Sequence, residues 1–390
     1  MSFLKKYIKK IQGSHKEVKQ ILVLFFTTRF ALTIIGLSSR LIGDNYCFFN
    51  SLRDGREYSK FHWLDIWGQW DSRWYRRIAE HWYPLQVNLK EQNEYGFMPF
   101  YPLLIKIINF FCHDFFLAGV IISNIALLIL SFLLFKLVKL EYSEETASDS
   151  VLFLYLFPTA FIFSGVFTES LYLMFVLLSF YLAKKEKWFL SCGCGFFLSL
   201  TKITGVLIAV PLLYIYFKQK SFSFKQVKFD IIFFFLILLG PITLAIYTKY
   251  LIGDWFAYAH AKQAWGVSYN NYLGNPLFLI THVFSEGKVY EWIGFWFFLG
   301  ALFSLMVFVR RINFEYWIYG MLVLVIPITV FNTIWNIYGF PRFCVIIFPL
   351  FIILAILSKN AYLKIAFIIT LTLLQGFLMA LWVKGFPVVT

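Results

Sequence analysis

The chain has 390 residues, of which 60% are hydrophobic, 22% are aromatic and 14% are charged. A soluble protein of this length carries a far more polar surface, so the composition excludes a soluble globular class and predicts a membrane protein. The formal net charge is +14, but the lysines lie in short gaps between apolar runs. This pattern is typical of topology-setting loops and argues against nucleic-acid binding.

The first predicted span, residues 20–38, follows a lysine-rich segment. It contains Arg29, and no small-residue cleavage site precedes Arg40, so we expect a retained span and not a removed signal peptide. Arg29 lies near the middle of this span, where a charged side chain must pair or face a polar cavity. A structural and a functional role for Arg29 are both open.

Apolar runs of span length recur along the rest of the chain, without an internal repeat, a low-complexity tract or a soluble second domain. Together with 20–38, the predicted spans are 115–138, 148–165, 167–184, 187–202, 204–218, 230–251, 290–309, 314–332, 340–358 and 364–383. Residues 97–112 form a shorter apolar run with two prolines and Lys106. This run is either a twelfth span or a helix that lies at the membrane interface.

Eleven crossings place all the basic loops on the side of the N-terminus, as the positive-inside rule requires. We therefore predict an all-α polytopic protein with a single domain over residues 1–390 and an external C-terminus. The large extracytoplasmic segments are then 39–114 and 252–289, with shorter external turns elsewhere. These external segments carry most of the unusual polar and aromatic side chains, which predicts one site built from separate loops.

Residues 71–82 have helical periodicity, with Asp71, Trp74, Tyr75, Ile78 and Trp82 on one face. A basic helix with aromatic residues on its apolar side is expected to lie in the headgroup zone and to hold a lipid phosphate beside an acid. Asp71 is either a reactive carboxylate or an N-cap, and the two roles are compatible. For Glu80 and His81, a solvated surface position is the alternative to substrate binding.

Three further charged residues lie at predicted outer helix ends. Glu169 begins an apolar run after Thr168, where a capping role and a cavity-lining role are both open. Lys202 and Arg342 either extend their charges to the interface or clamp a phosphate. The segment 338–342, with Gly339 and Pro341, is expected to break the helical structure between two spans.

The five cysteines do not indicate a disulfide framework, because three of them lie in or beside apolar runs; they are Cys47, Cys112, Cys192, Cys194 and Cys344. Cys192-Gly-Cys194 lacks the two-residue spacer of common zinc and redox motifs. We expect buried small side chains.

A series of short motifs resembles the PIG-V type of mannosyltransferase, the GPI mannosyltransferase 2 family with its bacterial relatives, in the GT-C superfamily. The motifs are Gln69-Trp-Asp-Ser-Arg-Trp-Tyr75, Ile78-Ala-Glu-His-Trp-Tyr83, Phe97-Met-Pro-Phe-Tyr-Pro102, Phe157-Pro-Thr-Ala160, Phe167-Thr-Glu-Ser170, Thr201-Lys-Ile-Thr-Gly205 and Pro341-Arg-Phe343. Their order and spacing carry the resemblance, which is most specific over residues 65–205.

The resemblance implies an inverting, metal-independent or weakly metal-linked enzyme with no indicated cofactor. Such an enzyme takes a sugar from a polyprenyl-phosphate donor on the extracytoplasmic face and transfers it to a lipid or glycan acceptor. Asp71 corresponds to the general base, and Glu169 is the second expected catalytic residue. The expected substrate-binding residues are Trp70, Arg73, Tyr75, Glu80, His81, Tyr101, Thr168, Lys202 and Arg342.

The chain departs from the family pattern at three positions. Trp74 replaces the His that eukaryotic members tend to have, Lys202 stands where Arg is commoner, and Phe343 stands where Tyr is commoner. These departures predict a retained donor and a different acceptor. The Lys-, Phe- and Ile-rich composition is typical of bacteria with A/T-rich genomes, which favours the bacterial cytoplasmic membrane and argues against a GPI lipid acceptor. A lipid-linked sugar flippase and an inactive assembly subunit are the rival functions.

Overall fold

The computed structural model describes residues 2–42, 58–267, 281–285, 287–330 and 335–388. Cys47 and parts of the predicted external segments 39–114 and 252–289 lie outside the described residues.

Every regular element in these ranges is helical. The α-helices are α1 (Ser2–Leu41), α2 (His62–Asp65), α3 (Ser72–His81), α4 (Phe100–Cys112), α5 (Phe115–Lys139), α6 (Glu144–Leu156), α7 (Glu169–Lys184), α8 (Trp188–Thr201), α9 (Ala209–Gln219), α10 (Phe235–Ile252), α11 (Ala257–Gln263), α12 (Val289–Val307), α13 (Phe314–Val330), α14 (Trp335–Val345), α15 (Pro349–Leu357) and α16 (Ala361–Val383). Short 3-10 helices lie at Glu94–Gly96, Ala160–Ser164, Ile203–Ile208, Phe224–Gln226 and Phe229–Phe234.

Within the described ranges, five helices are long and apolar enough to cross a membrane: Lys16–Leu41, Phe115–Lys139, Phe229–Ile252, Val289–Val307 and Ala361–Val383. All five coincide with predicted spans, and the predicted all-α polytopic class is confirmed. The other predicted spans coincide with shorter or interrupted helices, such as Trp188–Thr201. The count of eleven crossings therefore stays a prediction.

The long helices expose apolar faces. On α1, Phe26 and Phe30 are 64% and 69% exposed, and on α16, Leu373 and Phe377 are 68% and 56% exposed. Each pair is spaced four residues apart and therefore lies on one side of its helix. Continuous apolar surface of this kind is unfavourable in water, whereas it suits contact with hydrocarbon.

The short apolar run 97–112 contains α4, a helix of 13 residues. At about 1.5 Å per residue it is about 20 Å long, shorter than the hydrocarbon core of about 30 Å. Its second half exposes Ile107, Phe110 and Phe111. These features favour a helix at the interface over a twelfth span.

A bend in the chain lies next to Arg342. Helix α14 continues through Pro341 to Val345, and the segment Gly339–Val345 meets α15 at an angle of 72°. The break expected at 338–342 is therefore wrong by a few residues, because it falls between Val345 and Pro349. As a consequence, Arg342 lies within a helix and not in a turn.

Helix α3 confirms the predicted periodicity of residues 71–82, but its aromatic face does not rest in lipid. The Trp74 ring lies 5.9 Å from the Phe97 ring and 5.6 Å from the Trp265 ring. The Tyr75 ring lies 5.3 Å from that of Tyr101. The expectation of a headgroup-facing aromatic side is therefore wrong for Trp74 and Tyr75, because protein side chains cover them.

Helix α7 separates two groups of polar side chains. It packs against α5 and against α8. The first residue of α7 is Glu169 and its last residue is Lys184. A helix of this length holds its two ends about 23 Å apart, so polar groups gathered at its two ends form separate clusters.

Candidate functional site

Arg342 joins two carboxylates that are far apart in the sequence. Its Nη1 donates to Asp71 Oδ2 at 2.5 Å, and its Nε donates to Glu169 Oε1 at 2.5 Å. The Arg342 side chain is 6% exposed and that of Glu169 is fully buried, whereas the Asp71 side chain is 19% exposed. Asp71 is therefore the carboxylate of the pair that a solvent-borne or lipid-borne group can reach.

Lys202 adds a second cation to Glu169. Its Nζ lies 2.7 Å from Glu169 Oε1, the same oxygen that accepts from Arg342. Lys202 is the C-cap of α8 and has an extended backbone, which turns its side chain away from the helix. We call Asp71, Glu169, Lys202 and Arg342 the Asp71 cluster.

One buried oxygen of the Asp71 cluster has no hydrogen-bond partner among the described residues. It is Glu169 Oε2, which is buried. An unsatisfied buried carboxylate oxygen costs free energy unless a donor reaches it. The cluster can therefore accept a further donor, such as a hydroxyl or a water molecule.

The capping roles considered for Asp71 and Thr168 are not formed. Asp71 is the N-cap of α3, yet its side chain makes no capping hydrogen bond. Thr168 is the N-cap of α7 and likewise makes no side-chain capping bond. The Asp71 carboxylate is instead bound to Arg342, so its position is set by a charge from a distant helix.

The turn before Asp71 is tightly held. Trp70 has a φ of 47°, a left-handed conformation that is uncommon for a residue other than glycine. Gln69 Nε2 donates to the Val383 carbonyl at 3.1 Å, and its backbone N–H donates to Ser72 Oγ at 3.2 Å. At Gly68 an added Cβ would lie 2.6 Å from the Tyr58 ring and 2.7 Å from the Phe116 ring. These contacts fix where the Asp71 carboxylate points.

Tyrosines form the buried floor beside the cluster. Burial raises the pKa of Tyr75 well above its ordinary value, an effect that the charge of Arg342 partly opposes and that of Asp71 reinforces. The Tyr101 hydroxyl lies 2.8 Å from Ser123 Oγ and donates to the Gly119 carbonyl at 3.1 Å. Tyr101 is fully buried, which places it in packing against Tyr75 and not at an open surface.

The structure does not bring three of the expected substrate-binding residues into the Asp71 cluster. The Arg73 guanidinium lies 4.8 Å from the centroid of the Trp74 ring. Glu80 accepts from Arg76 at 2.7 Å, and the His81 side chain is 75% exposed. For Glu80 and His81 this favours the solvated-surface interpretation, and a role in substrate binding stays a prediction.

Arg29 binds elsewhere in the protein. Its Nη1 donates to the Ala160 carbonyl at 3.1 Å and to Ser164 Oγ at 3.0 Å. Ser164 Oγ in turn donates to Asn124 Oδ1 at 2.8 Å. These contacts bind α1 to the 3-10 helix Ala160–Ser164 and to α5, which is a structural role.

Sequence reasoning missed Lys262, on α11. Its Nζ lies 5.1 Å from the Phe97 ring centroid, 5.5 Å from that of Trp265 and 5.7 Å from that of Tyr258. Burial lowers the pKa of Lys262 to about 8; the nearby charge of Asp71 opposes this shift, and those of Arg342 and Lys202 add to it. The sequence contains a pattern that could have identified it, because Tyr258, Lys262 and Trp265 have the i, i+4, i+7 spacing typical of one helix face.

Asp254 organises the turn before α11. Its Oδ1 accepts from the Phe256 backbone N–H at 2.8 Å, and its Oδ2 lies 2.7 Å from His260 Nδ1. Trp255 is 51% exposed. The contacts of Asp254 favour a turn-forming role, and the exposure of Trp255 is consistent with either sugar stacking or a position at the membrane interface.

No group of three or more His, Cys, Asp or Glu side chains suited to a metal occurs in the described part of the chain. Cys112, Cys192, Cys194 and Cys344 are free thiols.

No family model matches the chain, and a search of curated proteins gives no match. Among solved structures, the chain is similar to the Archaeoglobus fulgidus oligosaccharyltransferase tethered with an acceptor peptide, with 12% identity and a TM-score of 0.44 over 93% of this chain and 55% of that chain. It is also similar to the oligosaccharyltransferase AglB of the same organism in complex with an inhibitory peptide and a dolichol-phosphate, with 12% identity and a TM-score of 0.41 over 93% of this chain and 56% of that chain.

The chain thus spans about half the length of these structures. Because both TM-scores are below 0.5, we base no conclusion about function on the similarity.

Proposed function

We propose that the protein is a membrane glycosyltransferase that moves a sugar from a polyprenyl-phosphate donor to a lipid-linked or cell-envelope glycan acceptor, with inversion at the anomeric carbon. The observation that carries the proposal is the Asp71 cluster. It combines one reachable carboxylate with two cations that share a buried second carboxylate. A polytopic protein with such a site has the components for transfer from an anionic lipid.

Asp71 is the general base in this mechanism. It removes the proton from an acceptor hydroxyl as that oxygen attacks the anomeric carbon of the donor. The new carbon–oxygen bond forms while the bond from the anomeric carbon to the phosphate oxygen breaks, and polyprenyl phosphate leaves with the electron pair. Arg342 supports this role because its guanidinium binds Asp71 Oδ2 and keeps the carboxylate in one orientation.

Arg342 and Lys202 bind the phosphate of the leaving group. A guanidinium has five N–H donors and an ammonium has three, so each keeps donors beyond those that bind the carboxylates. Glu169 is a positioning residue, since its Oε1 accepts from both cations at 2.5 and 2.7 Å. Phosphate oxygens bound by Arg and Lys are stabilised by charge-assisted hydrogen bonds as negative charge develops.

Inversion is favoured over retention by the positions of the other acids. A retaining mechanism requires a second carboxylate about 5 Å from the first that is free to attack carbon. Asp65 is bound by Arg40 at 2.7 Å and Glu80 by Arg76 at 2.7 Å. Glu169 Oε1 is occupied by two cations. Each of these carboxylates is already held by a cation, and Glu169 is also fully buried, which supports inversion.

The finer assignments rest on the sequence. The motifs around Asp71, Glu169 and Lys202 resemble the PIG-V type within the GT-C superfamily, and mannose is the sugar that this resemblance implies. The distribution of basic loops supports an extracytoplasmic site, and the Lys-, Phe- and Ile-rich composition favours a bacterial cytoplasmic membrane. The acceptor is a lipid-linked or envelope glycan.

The function is tested with the purified full-length protein in liposomes that contain labelled polyprenyl-phosphate-mannose and an extracted envelope glycan. We expect mannose to appear on the glycan. Movement of the intact lipid across the bilayer would identify a flippase. If the protein neither transfers the sugar nor moves the lipid, an assembly subunit is indicated. Either result rejects the proposal.

Sidedness is tested by cysteine labelling in a variant that lacks the native cysteines. His81→Cys places a thiol at the exposed last residue of α3, and Lys185→Cys places one at the exposed residue that follows α7. We expect a membrane-impermeant maleimide added to intact cells to label the His81→Cys protein and not the Lys185→Cys protein. The reverse pattern would place the Asp71 cluster on the cytoplasmic side and reject a polyprenyl-phosphate donor site.

A further inference from the structure

Lys262 occupies an aromatic cage. The rings of Phe97, Tyr258 and Trp265 surround its ammonium, with ring centroids between 5.1 and 5.7 Å from Nζ. Such a contact stabilises a cation by about 0.5–1 kcal/mol at an exposed site and by about 2 kcal/mol at a desolvated one. The cage therefore holds the ammonium in one place while it removes part of its hydration.

The cage lies beside the Asp71 cluster. The Phe97 ring packs on Tyr75 at 5.2 Å, and Tyr75 belongs to α3, the helix that Asp71 begins. Helix α11 also packs against the 3-10 helix Glu94–Gly96 that precedes Phe97. The charges of Asp71, Lys202 and Arg342 all act on Lys262.

Lys262 differs from the other two cations in its partners. Arg342 and Lys202 each bind a carboxylate, whereas no Asp or Glu oxygen in the described part of the chain lies within 4.0 Å of Lys262 Nζ. With Lys262 protonated, the three cations and the two carboxylates together carry a net charge of +1. A phosphodiester, which carries one negative charge, would balance this site.

We infer that Lys262 is a third phosphate-binding residue of the site and that its ammonium donates to a phosphate oxygen of a lipid phosphodiester. The inference rests on the proposed function, and it adds a residue from α11 to the cations of the Asp71 cluster. The donor lipid and a phospholipid acceptor share this phosphodiester chemistry. In the donor, Lys262 would bind the group that leaves; in an acceptor, it would orient the headgroup that is glycosylated.

The lowered pKa of Lys262 agrees with this assignment. Burial without an anionic partner disfavours the protonated form of an ammonium, whereas a bound phosphate would favour that form and raise the pKa of Lys262 again. Because the ammonium is already positioned and partly desolvated in the free protein, phosphate binding costs less free energy.

The test measures lipid binding by the full-length protein in a detergent free of phospholipid, with Lys262→Met, Lys262→Arg and the wild type. The probes are polyprenyl-phosphate-mannose without acceptor and, separately, phosphatidylglycerol. We expect Lys262→Met to weaken binding of one probe about 10–100-fold, the effect of losing a hydrogen bond to a charged group, and Lys262→Arg to stay within a few-fold of the wild type. Lys249→Met is the matched control, because Lys249 is exposed and binds only the Gly253 carbonyl among the described residues.

The two probes separate the two sources of phosphate. Weakened binding of polyprenyl-phosphate-mannose alone assigns Lys262 to the donor, and weakened binding of phosphatidylglycerol alone assigns it to an acceptor headgroup. Unchanged binding of both probes by Lys262→Met overturns the inference. If the wild-type protein transfers mannose and Lys262→Met binds both lipids normally, the inference about Lys262 fails and the proposed function stands. If Lys262→Met loses lipid binding but the wild-type protein transfers no mannose, the proposed function fails and the phosphate-binding role of Lys262 stands.

A second measurement needs no variant. Wild-type protein is treated with an amine-reactive reagent at pH 8, and modification of Lys262 is followed by mass spectrometry with and without each lipid. We expect a bound phosphodiester to slow modification of Lys262 at least tenfold and to leave modification of Lys249 unchanged. Equal modification of Lys262 with and without both lipids would overturn the inference even if Lys262→Met were unable to fold.

Discussion

The two ends of α7 carry two ion clusters that differ in how completely their charges are paired. At the last residue of α7, Lys184 pairs with Glu141 and Glu315, and Lys218 lies 3.4 Å from the other Glu315 oxygen. We call Glu141, Lys184, Lys218 and Glu315 the Glu315 cluster. It contains two cations and two carboxylates, and both Glu315 oxygens are bound.

The Asp71 cluster, at the first residue of α7, has the same number of cations and carboxylates but a different arrangement. One Glu169 oxygen takes both cations, and the other has no partner among the described residues. Lys262 adds a nearby cation without a carboxylate of its own in that part of the chain. A fully paired cluster serves to join helices, whereas a cluster with spare donors, a spare acceptor and excess charge is suited to a charged ligand.

The largest expected effect separates the two clusters by catalysis. Asp71→Asn removes the base but keeps a side chain of the same size, so we expect the transfer rate to fall about 10²–10⁴-fold. Glu141→Gln, the matched change in the Glu315 cluster, should leave the rate unchanged. Initial rates in the liposome assay measure both.

A rate for Asp71→Asn equal to that of Glu141→Gln, at equal protein levels, would reject Asp71 as the base. It would also remove the functional difference between the clusters.

The next effect concerns stability and should be similar at both ends. Glu169→Ala and Glu315→Ala each remove a fully buried carboxylate and leave two cations without it. We expect each variant to lose about 3–5 kcal/mol of unfolding free energy, because an uncompensated buried charge is costly. Denaturant titration in detergent micelles measures the loss.

The comparison then predicts different activities for the two variants at a temperature at which both are folded. Glu315→Ala should transfer sugar at the wild-type rate, whereas Glu169→Ala should not, because Arg342 and Lys202 lose their common anchor. Full activity in Glu169→Ala would show that Glu169 does not position the cations.

A pH effect should distinguish the Asp71 cluster from the Glu315 cluster. Because the pKa of Lys262 is lowered to about 8 by burial, its ammonium is protonated below pH 8 and neutral above it. Affinity for polyprenyl-phosphate-mannose should therefore fall as the pH rises through 8, by up to about tenfold per pH unit. The charges that act on Lys262 are those of Asp71, Lys202 and Arg342, and the Tyr258 ring lies 5.7 Å from its ammonium. The elements that pack against α11 also carry Glu94 and Tyr247.

The control for the pH effect is Lys262→Arg. An arginine stays protonated throughout this range, so the decline above pH 8 should disappear in that variant. A decline that persists in Lys262→Arg would assign the titration to another group.

The smallest expected effect lies in the Glu315 cluster. Lys218 is 48% exposed and its contact with Glu315 is long, so Lys218→Met should change the unfolding free energy by at most about 1 kcal/mol and should not alter transfer. Lys202→Met, in the Asp71 cluster, should instead weaken binding of the donor lipid. Thermal unfolding and lipid titration on both variants give the comparison, and equal donor affinity in the two would contradict a phosphate-binding role for Lys202.

Much of the fold could be predicted because its signals are local. Apolar runs of span length identified five helices that the structure describes as long enough to cross a membrane. The periodicity of residues 71–82 predicted α3, which runs from Ser72 to His81. The break near Arg342 was misplaced because Pro341 lies within a helix, where packing from neighbouring helices overrides the local preference of proline.

The candidate site was predicted in part. Asp71, Glu169, Lys202 and Arg342 were identified as polar residues at helix ends, but not the way in which they pair. The Arg342 bond to Asp71 spans 271 residues and its bond to Glu169 spans 173, and no periodicity acts over such distances. Glu80 and His81 belong to the next motif along the same helix, yet Glu80 binds Arg76 and His81 is exposed, away from the cluster.

The sequence by itself determined that this is an all-α membrane protein, because composition and helical periodicity report how each segment is solvated. Only the tertiary structure decided that one guanidinium binds two carboxylates, that a buried glutamate holds two cations, and that Lys262 stands in an aromatic cage beside them. The reason is physical: burial and charge pairing depend on which distant segments pack together, and that is a property of the folded chain as a whole.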